Sequence, residues 1–212
     1  MIVFCNLMNK ENLNFKNFKK DKINLTILKA LSEDGRSSYS EIARTLGLSH
    51  VAIKNRIEEL VKNKTIQIRA EFNFTEFNLK LGLILLEIEY DNYDYIVNVY
   101  RNCPRVIYYF SLMGQYNLAV LFYGEDQNTF ETILNSCMLY NLTGIRKSNL
   151  LMIGNINEPL FFPLKFNKLN SESEDSPCGI CCKKCKRFED RLCLGCPASK
   201  YYHGPFKANI SQ

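Results

Sequence analysis

The chain has 212 residues, which is enough for one large domain or two small ones. Hydrophobic residues make up 46% of it and charged residues 23%, and no apolar run approaches the roughly 18 residues needed to cross a bilayer, so the composition excludes a membrane bundle and a wholly disordered chain. Basic and acidic residues number 14 and 9 in residues 1–80, 5 and 8 in residues 81–166, and 8 and 5 in residues 167–212, so two basic ends flank an acidic middle. This asymmetry favours an N-terminal part that binds a polyanion.

The first 20 residues are rich in Asn and Lys and have little periodicity, so we expect an N-terminal arm over residues 1–20. The apolar start, Met1 to Met8, has no basic residues before it and no small-residue cleavage site after it. Because this is not the pattern of a secretion signal, a cytoplasmic protein is expected.

Three helices follow the arm, and each has its own boundary signals. Asp21 is a suitable N-cap for the first, Ser38 begins a capping box for the second, and Ser49 can cap the third. Gly47 can take the left-handed conformation that ends a helix. The predicted helices span residues 21–33, 39–46 and 50–62. Two short helices joined by a tight turn that contains Gly form a helix-turn-helix.

The third predicted helix has an apolar side for the core and a polar side that begins at its N-terminal end, the part of a recognition helix that meets base edges. On the polar side, Asn55 can pair bidentately with adenine and Lys54 can bond the acceptors of guanine. Arg56 lies at the edge of the apolar side, so a phosphate contact or a contact within the domain is favoured over base reading. The alternative is an exposed polar face without a partner. The candidate DNA-contacting residues are Ser38, Ser40, Ser49, His50, Val51, Lys54, Asn55, Arg56, Lys62 and Arg69.

Residues 66–72 alternate apolar and polar side chains, which is the pattern of a half-buried strand. Such a strand would form a wing and complete a winged helix-turn-helix domain over residues 21–75.

From about residue 81 the pattern becomes strand-like. Strands are predicted over residues 81–90, 105–112, 117–123 and 145–153, and helices over residues 93–101 and 126–140. The order βαββαβ is that of the ferredoxin-like sandwich, in which two helices cover one face of one sheet. The predicted fold class is therefore α+β, with the ferredoxin-like domain over residues 81–157.

A polar linker is predicted over residues 158–177, and a cysteine-rich tail follows it over residues 178–207. Paired CxxC turns place two thiolates on one side of a tight turn, and two such turns complete a tetrahedral four-thiolate zinc site. In a chain without a secretion signal, a metal site is favoured over a disulfide framework. The candidate metal ligands are Cys178, Cys182, Cys185, Cys193 and Cys196.

The last four of these cysteines make the most compact set, and Cys181 is an extra thiol. An iron-sulfur cluster is the alternative to zinc, although Lys184 breaks the ferredoxin run CxxCxxC. Cys103 and Cys137 are expected to be small core residues, and His203 is not expected to be a ligand.

A helix-turn-helix followed by βαββαβ resembles the Lrp/AsnC family of transcriptional regulators over about residues 21–157. The stretches that carry the resemblance are Ile27-Leu28 to Leu31, Asp34-Gly35-Arg36, Glu41-Ile42-Ala43, Leu46-Gly47-Leu48-Ser49, Arg56-Ile57 to Leu60, Gly114-Gln115-Tyr116-Asn117 and Thr143-Gly144-Ile145-Arg146. The resemblance implies a sequence-specific regulator that binds double-stranded DNA and forms a homodimer or larger oligomer through its ferredoxin-like domain. It also implies an amino-acid-like effector at Gly114, Gln115, Tyr116 and Asn117.

The chain departs from the family pattern at several positions. Asn24 replaces a usual Asp, and Lys64 replaces a usual Gly, for which the adjacent Asn63 is a possible left-handed substitute. Asn117 replaces the more usual Asp of the effector loop. The family also lacks a tail like residues 178–196.

Two other functions have sequence support of different weight. The tail cysteines could make the protein a redox or metal sensor. One branch that resembles the family decarboxylates a tetrapyrrole with His and Arg residues of its second domain. Because His50 and His203 are the two histidines of this chain and neither lies in that domain, we do not expect an enzyme.

Overall fold

The computed structural model describes residues 21–137, 142–154, 158–169 and 172–207, so the predicted arm of residues 1–20 lies outside the described residues. The chain divides between Arg69 and Ala70 into two compact units. Within the described ranges, no helix combines the length and the apolar character needed to cross a membrane.

The described residues of the first unit contain three helices at the predicted positions. They are α1 (Lys22–Glu33), α2 (Tyr39–Leu46) and α3 (His50–Lys62). The Asp21 carboxylate accepts hydrogen bonds from the amides of the first turn of α1, and the Ser49 hydroxyl caps α3 by accepting from the Ala52 amide at 3.2 Å. Gly47 adopts φ 65° between α2 and α3, as the turn requires. The core of the unit is formed by Ile27, Ile42, Ala43, Ile53, Ile57 and Leu60.

Two predictions for this unit are wrong in detail. No strand forms over residues 66–71. Ile68 is 49% exposed, so the alternation does not place all of its apolar residues against a core. At the end of α3 the left-handed residue is Lys64, with φ 56°, rather than Asn63. The Lys64 amide reaches the Val61 carbonyl at 3.0 Å, and this turn fixes its conformation.

The second unit contains a four-stranded antiparallel sheet and the predicted order βαββαβ. Its elements are β1 (Phe72–Asn73), β2 (Lys80–Ile88), a 3-10 turn (Tyr90–Asn92), α4 (Tyr93–Asn102), β3 (Val106–Ser111), β4 (Leu118–Gly124), α5 (Gln127–Asn135), β5 (Ile145–Met152), β6 (Phe161–Phe162), 3-10 turns (Phe166–Lys168 and Cys182–Lys184) and α6 (Lys186–Glu189). The sheet order is β3-β4-β2-β5. Both long helices contribute to one core with one sheet face, so the predicted α+β fold class is confirmed.

The second sheet face is partly covered by residues that the sequence assigned to a linker. Strand β6 pairs with β1, and Phe162 and Leu164 pack against a cluster that includes Tyr123. The predicted linker of residues 158–177 therefore begins with residues that belong to the packed unit. Helix α5 ends at Asn135, earlier than predicted, and residues 138–140 of that prediction lie outside the described ranges.

The cysteine-rich tail also belongs to the second unit. Ala198 and Tyr202 of the tail are buried, with 6% and 1% of their surface exposed. The tail is therefore packed on the ferredoxin-like domain.

Candidate functional site

The outward side of α3 begins directly after the turn at Gly47. His50, Val51, Lys54 and Asn55 are all exposed on it. The first turn of α3 contains no acidic residue, so the positive end of the helix dipole is not neutralised there. This end of α3 can therefore face a phosphate backbone and place polar side chains beside base edges.

Two of these side chains, those of His50 and Lys54, contact neighbouring groups. The His50 ring lies 5.9 Å from the Tyr39 ring, centroid to centroid. Lys54 Nζ lies 3.8 Å from a carboxylate oxygen of Glu58, and both side chains are more than half exposed. An exposed ion pair of this kind is weak, so Lys54 can exchange it for a base or phosphate.

Arg56 is directed into its own domain. Its Nε donates to Asn24 Oδ1 at 2.8 Å, and its guanidinium forms an ion pair with Asp21, the N-cap of α1. Asn24, which replaces a usual Asp, thus has a structural partner. Ser38 and Ser49 are helix caps, whereas Ser40, Lys62 and Arg69 are exposed.

The loop between β3 and β4 carries the predicted effector residues. Gly114 and Gln115 are exposed, and Tyr116 and Asn117 are half-buried. The Asn117 carboxamide accepts from the Ile88 amide at 2.9 Å and donates to the Ile88 carbonyl at 2.7 Å. An ionised Asp could not donate to that carbonyl. With Asp at position 117, the loop would therefore lose one of the two hydrogen bonds that join it to Ile88.

The backbone conformation and the space at position 144, in the motif that precedes β5, require a glycine. Its φ is 95°, and a Cβ atom there would lie 2.4 Å from Asn92. A side chain is therefore incompatible with the position.

All five predicted metal ligands of the tail line one cavity of about 50 Å³. This volume is several times the roughly 10–15 Å³ that one water molecule needs. Cys103 and Cys137, which belong to the ferredoxin-like domain, also line it, whereas Cys181 is not among the lining residues. We call the five tail residues Cys178, Cys182, Cys185, Cys193 and Cys196 the tail cysteines and this space the thiol cavity.

A buried ion pair attaches the tail beside the thiol cavity. Arg105 Nε and Nη2 donate to the two carboxylate oxygens of Glu125 at 3.0 and 3.1 Å, and Nη2 also donates to the Gly195 carbonyl at 2.6 Å. Gly195 lies between Cys193 and Cys196, so this contact holds the second CxxC turn against the domain.

Helix α5 provides further contacts with the tail. Thr129 Oγ1 accepts from the Leu194 amide at 3.2 Å. Thr132 Oγ1 donates to the Leu192 carbonyl at 3.0 Å and accepts from Arg187 Nε at 2.7 Å. The tail is therefore bound through its backbone as well as through its side chains.

Burial and charge act on the cavity thiols in opposite directions. Burial raises the pKa of Cys196 to about 12 and also raises the pKa of Cys103 and Cys193, while the nearby Arg105 charge opposes each increase. These three thiols are therefore protonated near neutral pH, and metal binding at any of them would have to release its proton.

A hydrogen bond links the two CxxC turns, but their thiols do not surround a common point. The Cys196 amide donates to Cys182 Sγ at 3.2 Å, which joins the first turn to the second. Within the described ranges, no three His, Cys, Asp or Glu side chains are grouped as a metal ion requires. His203 stacks on Phe188 with a centroid distance of 5.8 Å.

Sequence reasoning found the tail cysteines but assigned Cys103 and Cys137 only to the core. Both do pack against the core of the second unit, and both also face the thiol cavity. Their separation of more than 40 residues from the tail left no local signal of this. Arg105 and Glu125 were missed for the same reason.

The helix-turn-helix is similar to a known type of domain. Residues 21–61 match the model of the AsnC-type helix-turn-helix domain. The match covers α1, α2 and all of α3 except its last residue.

Similar sequences come from archaeal proteins named as regulators. An uncharacterised HTH-type transcriptional regulator of Pyrococcus furiosus is 45% identical over 47 residues, which are 22% of this chain and 32% of that protein. One from Pyrococcus horikoshii is 27% identical over 115 residues, 52% of this chain and 72% of that protein. The HTH-type transcriptional regulator Ptr1 of Methanocaldococcus jannaschii is 27% identical over 99 residues, 46% of this chain and 67% of Ptr1. The chain thus spans about a third of the length of the first of these relatives.

Solved structures share the fold over about two thirds of the chain. Escherichia coli AsnC has a TM-score of 0.57 at 17% identity, with 65% of this chain and 94% of AsnC covered. A Neisseria meningitidis transcriptional regulator in complex with L-Met has a TM-score of 0.57 at 23% identity, with 68% of this chain and 97% of that one covered.

Proposed function

We propose that the protein is a sequence-specific, DNA-binding transcriptional regulator of the AsnC type. The observation that carries this proposal is the exposed N-terminal half of α3, which presents His50, Val51, Lys54 and Asn55 within the segment that matches the AsnC-type domain. A two-fold symmetric dimer would read half-sites about one helical turn apart.

The test is a substitution on the reading face of α3. Asn55→Ala should cost about 1–3 kcal/mol of binding free energy on the specific site, because a bidentate contact with a base is lost, and little on random DNA. Genome-wide binding would first identify the site, and fluorescence anisotropy would then measure both affinities.

A matched control is Glu59→Ala, which changes an exposed residue in the C-terminal half of the same helix. It should leave the ratio of specific to random affinity unchanged. If Asn55→Ala leaves both affinities unchanged, α3 does not read this DNA.

An amino-acid-like effector is proposed for the loop between β3 and β4. The L-Met complex of the Neisseria regulator, which shares the fold, supports this class of ligand. Because the Asn117 carboxamide is bonded to Ile88, the loop would offer a ligand mainly Gly114, Gln115 and Tyr116. Because residue 117 is Asn, the amino group of a ligand would find no carboxylate in this loop.

Self-association is proposed through the uncovered part of the second sheet face. Leu83 and Leu85 of β2 are half-buried there, and Phe110 and Leu151 on the two edge strands are 50% and 46% exposed. Strand pairing places Leu83 beside Leu151, and places Leu85 opposite Ala119, which in turn faces Phe110. A second copy could cover this apolar face by packing sheet against sheet.

A second candidate function is metal or redox sensing through the tail, with zinc as the metal and an iron-sulfur cluster as the alternative. The supporting observation is that all five tail cysteines line one cavity, since thiolates are the ligands of structural zinc and of iron-sulfur clusters. The thiols would have to close inward on the metal. In this function, the metal content of the protein sets its affinity for DNA.

Catalysis is not proposed. The similar proteins are named as regulators, and His50 and His203 both lie outside the βαββαβ domain.

A further inference from the structure

Cys103 lies where the ferredoxin-like domain meets the tail, and its backbone is firmly held. Its amide bonds to the Val99 carbonyl at 3.0 Å at the end of α4. Its own carbonyl accepts from the Val106 amide at 3.3 Å and from Lys165 Nζ at 3.1 Å. The thiol of Cys103 is therefore presented to the thiol cavity from a fixed position.

The tail brings further thiols to Cys103 from two directions. Cys178 packs against the same core cluster as Cys103, and both residues line the thiol cavity. On the other side, the Arg105 contact with Gly195 holds the second CxxC turn, and Cys196 of that turn lines the same cavity. Two tail cysteines from different turns thus line one cavity with a domain cysteine.

The charge around Cys103 suits thiolates. Arg105 is two residues away, and it lines the thiol cavity together with Cys103, Cys193 and Cys196. Lys165 adds a second cation at the carbonyl of Cys103. A cluster of thiolates in a low-dielectric cavity needs such positive charge nearby.

We propose that Cys103 is a ligand of the metal centre, so that the centre is shared between the tail and the ferredoxin-like domain. The proposal rests on the metal site proposed above. The chemistry is that of a soft metal centre with thiolate ligands, either zinc or an iron-sulfur cluster. On binding, a sulfur–metal bond forms at Cys103 and its proton passes to water.

A shared ligand has a consequence that an independent zinc knuckle would lack. Metal binding would fix the end of α4 and the start of β3 to the tail, because Cys103 begins the three-residue link between these elements. The metal would thus act on the domain proposed to hold the effector and the oligomer.

The experiment uses full-length protein purified without oxygen, with Cys103→Ser, Cys137→Ser and Cys196→Ser variants. Added Co²⁺ reports bound thiolates through its thiolate-to-cobalt charge-transfer absorption, and iron and sulfide analysis of the same preparations reports a cluster. Cys103→Ser should lower the charge-transfer intensity by one thiolate and weaken metal binding more than about 10-fold, since loss even of an outer-shell partner commonly costs that much. Cys137→Ser, the same change on the same cavity wall, should have no such effect.

A measurement on the unmodified chain covers the case in which Cys103→Ser fails to fold. Zn²⁺ should slow the alkylation of Cys103 together with that of the tail cysteines, as mass spectrometry of the labelled peptides would show. Protection of the tail cysteines with unchanged labelling of Cys103 would overturn the proposal.

The outcomes separate the shared centre from the metal site itself. If Cys196→Ser loses the metal while Cys103→Ser keeps the unmodified spectrum and affinity, the tail binds metal alone and only this inference is wrong. Equal losses in Cys103→Ser and Cys137→Ser would assign the effect to cavity packing and would also overturn it. If the unmodified protein binds neither zinc nor a cluster, the proposed metal site fails as well.

Discussion

At the scale of single residues, the Arg105–Glu125 ion pair shows how two side chains decide where the tail lies. Both are almost fully buried, with 5% and 1% of the side chains exposed. The guanidinium also bonds to the Gly195 carbonyl. A buried ion pair is costly to desolvate, and its loss leaves an unpaired charge in the interior.

Glu125→Ala should therefore destabilise the protein by about 3–5 kcal/mol, because Arg105 would stay buried without its counter-ion. Urea unfolding followed by circular dichroism measures this. Removing both charges, as Arg105→Met with Glu125→Leu, should restore much of the loss.

The matched control is the exposed pair in which Arg146 Nε lies 3.2 Å from Glu89, also in the second unit. Glu89→Ala should cost at most about 1 kcal/mol, since solvent screens that pair. A similar cost for the two substitutions would contradict the role given to Glu125.

Two asparagines make contacts that no local sequence pattern predicts. Asn117 is recognisable as a departure from the family pattern, but its two bonds to Ile88 depend on the pairing of distant strands. Asn24 is a similar case, since its partner Arg56 lies 32 positions away.

At the scale of elements, the tail differs most from its prediction. The sequence predicts a small knuckle that depends on metal for folding, because about 30 residues with few large apolar side chains bury little surface. In the structure, the tail also has α5, Arg105 and the core cluster as partners. Docking on the domain thus supplies part of the stability that an isolated knuckle would lack.

If the proposed metal site is occupied, loss of the metal should still loosen the tail selectively. In Cys193→Ser, or after chelation, amide hydrogen exchange should accelerate in residues 178–207 and remain unchanged in α1 to α3. Cys181→Ser is the control, because Cys181 is outside the lining of the thiol cavity. It should retain the metal and the slow exchange.

DNA affinity measured on the same samples separates the two roles of the tail. An altered affinity in Cys193→Ser alone would identify the tail as a sensor. An unaltered affinity with a loosened tail would make it a docking or stability module, and unaltered exchange would contradict metal-dependent folding.

At the scale of the whole molecule, the uncovered part of the second sheet face is the main feature. In a monomer its apolar side chains would stay in contact with solvent. Leu85→Glu should shift the sedimenting species towards the monomer, because a carboxylate cannot be buried between two apolar sheets without a partner. Sedimentation velocity at micromolar concentration measures this shift.

Tyr95→Glu provides the control for that experiment. Tyr95 is 54% exposed on α4, in the helix layer rather than on the sheet face. It should leave the oligomer intact. Dissociation by Tyr95→Glu but not by Leu85→Glu would place the interface on the helices instead.

The sequence by itself determined the order of the elements and the bounds of most of them. Local signals act over a few residues, so they can be recognised without a structure. They include the caps at Asp21 and Ser49, the turn at Gly47 and the apolar periodicity of α1 to α5. The wing strand was one exception, since alternating side chains over residues 66–71 do not by themselves provide the neighbouring strand that a sheet needs.

Only the tertiary structure decided which distant residues meet. It brought Cys103 to the tail cysteines, joined Arg105 to Glu125 and Gly195, and packed Phe162 and Leu164 over the sheet. The physical reason is that a helix cap or an apolar period is set by neighbours in sequence. The composition of a cavity is set by chain topology and by side-chain packing across the fold.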